Sequence, residues 1–205
     1  VEEYRKDTAP ASPLAERAKA GTVKFLFVGR LVYYKGVDVL LRAFEKVQNA
    51  ELFIVGSGPL REELEAEAQR MGKADAVHFL AGLSDAQLKA CYRDCDVFVL
   101  PSIARSEAFG LVQLEAMAFG RPVINTSLPS GVPYVSLHGK TGLTVPPEDA
   151  QALADAMCAL AGDAGLREAY GKAGYERGCT EFSEQHMMEL LLEQMEQLAG
   201  QEPAK

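Results

Sequence analysis

The chain has 205 residues, of which 48% are hydrophobic, enough for one compact domain with a continuous core. Its formal net charge is −8 and its pI about 5.0, which disfavours broad binding to nucleic acid or an anionic lipid surface, so any anion site must be local. No run of ~18 apolar residues reads as a membrane span, and no stretch reads as a secretory signal.

Residues 1–21 are polar, carry Pro10 and Pro13, and read as a linker or hinge remnant with one short helix from Ser12. A main domain over 22–178 follows, and 179–205 read as an amphipathic helix and tail. The main domain begins with an apolar strand over 23–28. A helix over 37–47 follows, because Val37, Leu40, Leu41, Phe44 and Val47 form one apolar stripe. A strand over 52–55 leads to "GSGP", with Pro59 suited to the first turn of a Glu-rich helix running to about Met71. The next strand spans 77–80. Ser84 and Gln87 then have capping-box spacing for a helix ending near Asp94. A strand over 97–100 is closed by Pro101, a helix over 110–119 is ended by Gly120, and a strand over 122–125 leads into a Gly/Pro-rich stretch. A short strand over 143–145 and helices over 149–160, 166–176 and 183–198 complete the chain.

Short, wholly apolar strands alternating with helices imply a doubly wound, Rossmann-like α/β fold: a parallel sheet of about six strands covered on both faces. Such sheets bind ligands at the carboxyl ends of their strands, where "GRLVYYKG", "GSGP", "AGLSD" and "PSIARSEAFG" all fall.

Several familiar motifs fail on inspection. In "GSGPLR", Arg61 occupies the third glycine position of a dinucleotide fingerprint. "HGKTG" ends like a phosphate loop, but Tyr134 stands where the first glycine belongs. The histidines His78, His138 and His186 are dispersed, which suits structural or exposed roles. Cys91, Cys95, Cys158 and Cys179 form no CxxC and no zinc spacing; Cys91 and Cys95 suit core thiols in a reducing, cytoplasmic setting. The sequon at Asn125 sits at a strand end and reads as chance.

Two segments carry chemistry. Gly29 permits a sharp turn and close ligand approach. Arg30 offers a planar fork for phosphate and Lys35 a flexible point charge, while Gly36 opens a helix whose N-terminus favours anions. Charge-assisted hydrogen bonds contribute roughly 1.5–3 kcal/mol each, so the pair suits a diphosphate; a solvated surface loop is the alternative. In "SEAFGLVQLEAMAFG", Glu107 and Glu115 are separated by seven residues, and Glu115 lies among apolar neighbours. A carboxylate buried there needs hydroxyl or cationic partners, which a sugar diol supplies; a structural ion pair is the alternative. Phe109, Gly110 and Leu111 present N–H groups at the helix start.

These segments, with "FLFVGRLVYYKGVDVLLRAF", "LFIVGSGP" and "DVFVLPSIARSEAFGLVQLEAMAFGRPVI", resemble the C-terminal half of glycosyltransferase family 4, retaining enzymes of the GT-B architecture. The resemblance runs from about Lys24 to the last helix. It implies that Arg30 and Lys35 hold the diphosphate of a UDP- or GDP-sugar donor, that Glu107 meets the transferred sugar and that Glu115 binds the ribose diol. It further implies that the Phe109–Leu111 backbone lies nearby, and that Gly29, Gly56 and the stretch around Leu80, Gly82 and Leu83 flank the nucleotide. Donor binding without metal or other cofactor is expected, as is a separate N-terminal acceptor domain, with the whole enzyme peripheral to a membrane. The segment after the 122–125 strand, "SLPSGVPYVSLHGKTGLTVPP", departs from the family's usual Glu-containing form and resembles a bacterial variant. Two other readings stand beside this one: a noncatalytic nucleotide-sugar-binding or regulatory module, and an epimerase-like enzyme of related architecture.

Overall fold

The structure is a computed structural model, and it describes residues 3–6, 8, 9 and 11–199. A short helix α1 (Pro13–Arg17) starts at Ser12, whose hydroxyl accepts from Ala15 N, and it buries Leu14 completely. In chain order there follow β1 (Val23–Val28), α2 (Val37–Phe44), β2 (Ala50–Val55), α3 (Arg61–Arg70), β3 (Val77–Leu80), α4 (Asp85–Asp94), β4 (Val97–Val99), α5 (Val112–Ala118), β5 (Val123–Thr126) and α6 (Val132–Val135). The chain continues through β6 (Gly142–Val145), α7 (Ala150–Gly162), α8 (Ala164–Thr180) and α9 (Glu184–Ala199).

The six strands form one sheet in the order β3-β2-β1-β4-β5-β6, and every pairing is parallel. This is the doubly wound, Rossmann-like α/β arrangement that the alternation implies. Because side chains alternate across a strand, Phe25 and Phe27 face one layer and Leu26 and Val28 the other. Phe25 and Phe27 meet the apolar faces of α2 and α7, including Leu40, Leu41, Phe44 and Met157. Leu26 and Val28 meet Tyr92 and Cys91 of α4 and Met117 of α5. Burial pushes the Cys91 and Cys95 thiols up to about 12, so they pack as small apolar groups.

Capping explains most boundaries. Ser84 and Gln87 form the complete capping box at α4, and the carboxylates of Asp149 and Asp163 cap α7 and α8. The structure differs from the sequence reading at several boundaries: β2 begins at Ala50, α3 at Arg61 with Pro59 ahead of its first turn, and α8 runs on to Thr180. The stripe over 37–47 continues as core through Val47, but the helix itself ends at Phe44. Gly110 sits at φ +71, so α5 begins at Val112 and Glu115 falls in its first turn. The Gly/Pro-rich stretch contains the four-residue α6, which has no amphipathic repeat to reveal it. Helix α9 leaves Met187, Met188, Leu190, Leu191, Leu192 and Met195 exposed. The final residues of the expected tail lie outside the described residues.

Candidate nucleotide-sugar site

The strand order reverses between β1 and β4, because successive strands β1, β2 and β3 run outward one way and β4, β5 and β6 the other. Loops leaving the carboxyl ends of β1 and β4 must therefore diverge, and a crevice opens between them. The first loop carries Gly29, Arg30 and Lys35; the second carries Ser102 and Glu107. The two are tied by Ile103 N donating to Tyr34 O at 2.8 Å and by the close seat of Gly36 against Pro101 O.

Lys35 Nζ contacts Glu107 Oε2 across this crevice. Ser102 Oγ donates to the same oxygen at 3.1 Å, and the Ser102 carbonyl accepts from Thr126 Oγ1 at 2.6 Å. Glu107 is 9% exposed and Ser102 fully buried, so the carboxylate is mostly desolvated and its two donors are needed. The Lys35 stem passes Gly29: a Cβ added at Gly29 would lie 3.6 Å from Lys35 Cε.

Beside this pair lies a cavity of about 370 Å³ lined by Gly29, Arg30, Gly56, Ser57, Gly82 and Leu83, among others. Five residues expected at the site thus share one hollow. Arg30 is exposed, and among the described residues its guanidinium has no hydrogen bond or ion pair. Leu80 is buried and contributes through its carbonyl, which accepts from Gly56 N at 2.9 Å. Gly56 at φ +152 sits so close to Gly29 O that a Cβ would overlap it.

The Phe109–Leu111 turn is held from below by buried amides. Gln113 Nε2 donates to Phe109 O and to Val132 O, both at 3.2 Å, and Asn125 Nδ2 donates to Gln113 Oε1 at 2.9 Å. Asn125 is 1% exposed, so the sequon is occupied by packing. Among the described residues the N–H groups of Phe109, Gly110 and Leu111 have no acceptor. Leu111 is 65% exposed, and Phe109 packs edge-on against Phe182.

Glu115 is half-buried at the first turn of α5. It lines a second hollow of about 300 Å³ with Tyr4, Leu111, Leu114, Ala118 and Phe182. Of the four charged residues expected at the site, Lys35 and Glu107 meet, Arg30 lines the hollow beside them, and Glu115 lines the second hollow. Its hydroxyl partners come from the protein. Tyr92 OH donates to Glu115 Oε2 at 2.6 Å, and the Tyr4 phenol adjoins it. Burial raises the Glu115 carboxyl above the ordinary range, and the Tyr92 and Tyr4 hydroxyls offset part of that. Burial and the Glu115 charge push both phenols up, so both remain donors. Ser102, Tyr92 and Tyr4 were not foreseen from the sequence; only the polar tip of Tyr92 on an apolar helix face hinted at a partner.

Among the described residues, no group of three or more His, Cys, Asp or Glu could hold a metal ion. His78 is committed to Glu51, and His138 Nδ1 accepts from Thr144 N at 3.0 Å. A cavity of about 440 Å³ lies at the opposite, amino edge of the sheet, around Arg121, Arg167 and Lys172. There Arg121 and Arg167 are donating to main-chain carbonyls. No helix among the described residues is long and apolar enough to cross a membrane.

A doubly wound parallel sheet with a glycine-lined crevice at its switch point is the α/β fold of a GT-B domain. The family model for glycosyl transferases group 1 matches residues 13–177, and the chain belongs to that family. It is 42% identical over 141 residues to D-rhamnosyltransferase WbpZ of Pseudomonas aeruginosa, covering 69% of this chain and 36% of that protein. It is 36% identical over 173 residues to O-antigen chain mannosyltransferase C of Escherichia coli, covering 84% of this chain and 46% of that one. Anabaena Alr3699/HepE, solved in complex with UDP, superimposes with a TM-score of 0.82 at 23% identity, over 96% of this chain and 55% of HepE. The chain thus spans less than half the length of these two curated relatives.

Proposed function

We propose that this chain is the donor-binding half of a retaining hexosyltransferase that uses a UDP- or GDP-sugar, with transfer to a glycan or lipid-linked acceptor in a bacterial cytoplasm. The observation that carries the reading is the Lys35–Glu107 contact across the β1–β4 crevice, beside the hollow that Arg30 and three glycines line. Arg30 and Lys35 hold the diphosphate and stabilise the charge that grows on it as the bond to the sugar breaks. The acceptor attacks from the same face, and the departing phosphate takes its proton. Glu107 accepts from hydroxyls of the transferred sugar. Glu115 recognises the ribose diol once the nucleotide reaches around the start of α5, and Gly56, Gly82 and Leu83 flank the base. The two cations supply the countercharge, so donor binding proceeds without a metal. The similarity to mannosyl- and rhamnosyltransferases favours a hexose or deoxyhexose.

Isothermal titration of UDP and GDP in the presence of a chelator tests this. Native protein is expected to bind one of them, Arg30→Ala to weaken it by about tenfold or more, and Lys35→Ala to weaken it by a smaller factor. Unchanged affinity in both variants would remove the clamp and the reading with it.

A further inference from the structure

We propose that the Lys35–Glu107 pair makes this site selective for a sugar-bearing nucleotide over the free nucleoside diphosphate; the inference rests on reading the crevice as the donor site. The pair is nearly shut off from water, with side-chain exposures of 12% for Lys35 and 11% for Glu107. Both donors to Glu107, the Lys35 ammonium and the Ser102 hydroxyl, converge on Oε2. Among the described residues Oε1 has no partner.

Lys35 and Glu107 therefore neutralise each other at this point of the crevice. A free diphosphate that recruits Lys35 draws it from Glu107 and leaves a mostly buried carboxylate with one neutral donor. That cost offsets much of what the new contact contributes. A nucleotide sugar brings hydroxyl donors with its phosphates, so Glu107 exchanges one partner for others and the cost disappears. Arg30 lies outside this exchange: it is exposed and, among the described residues, unpaired, so it assists both ligands alike. Selectivity thus comes from a pre-existing ion pair that only a two-part ligand can replace on both sides, while Arg30 supplies affinity without discrimination.

Titration calorimetry with UDP, GDP, UDP-glucose and GDP-mannose separates the possibilities. Glu107→Gln leaves Lys35 without its counter-ion in the empty site, so the free diphosphate is expected to bind about tenfold more tightly while the sugar nucleotide binds more weakly. Ser102→Ala, which keeps the pair but removes the remaining donor, is expected to weaken the free diphosphate more than the sugar nucleotide. Arg30→Ala is expected to weaken both by the same factor. Thermal melts of each variant establish that it is folded. If Glu107→Gln binds free diphosphate no more tightly, or loses both ligands in parallel, the coupling is wrong although the crevice is still a nucleotide site. If native protein binds none of the four, the donor-site reading fails and the coupling falls with it.

Discussion

At Glu115 a single side chain combines a stability cost with a candidate function. Its carboxyl is raised by burial, so the native state holds that proton more tightly than the unfolded chain does. Stability at this group is then fully present below the ordinary glutamate range and is lost as pH rises through the raised native value. Glu115→Gln keeps an oxygen for the Tyr92 hydroxyl and removes the charge. Its melting temperature is expected to exceed that of native protein by on the order of 2 °C at neutral pH and to converge with it towards acid pH. Calorimetric melts across that range check this; a constant offset at all pH values would show that charge burial is not the cause. Glu115 was visible in the sequence as an acid among Leu111, Val112, Leu114, Ala116 and Met117. Its partners were not, because Tyr92 and Tyr4 reach it from a different helix and from the N-terminal segment, and such contacts leave no spacing to read.

Between elements, the site depends on how closely β1 and β2 end together. Gly56 at φ +152 lies against Gly29 O, and Gly29 N donates to Val55 O at 3.0 Å. Gly56→Ala forces these two loops apart and strains its own backbone. It is expected to cost about 2 kcal/mol or more in urea unfolding, and to weaken nucleotide binding in the protein that still folds. Wild-type stability in this variant would show that the two loops can separate without strain. Strands were legible because their apolar runs are short and alternate with helical stretches: the readings over 23–28 and 77–80 coincide with β1 and β3. The start of α5 was not, since a left-handed Gly110 delays the helix by two residues. A Cβ there would come within 2.6 Å of Leu100 Cδ2, a tertiary constraint with no local signature.

For the molecule as a whole, the parallel sheet and the family were legible, while the separate hollow that Glu115 lines was not. The strand alternation dictates a parallel sheet and its ligand edge, but not which loops lean together above it. The curated relatives described above are more than twice as long as the stretch they share with this chain. We therefore expect a nucleotide sugar to bind this chain without transfer to a simple acceptor; radiolabelled donor with mannose or glucose as acceptor measures it, and turnover would place the whole reaction within these 205 residues. The crevice also has a folding history. Lys35 and Glu107 are 72 positions apart, with β2, β3 and three helices between them in the chain, and their loops face each other only where β4 lies beside β1. A ligand that needs both side chains is therefore expected to hold the finished sheet alone, slowing escape from it more than hastening arrival there.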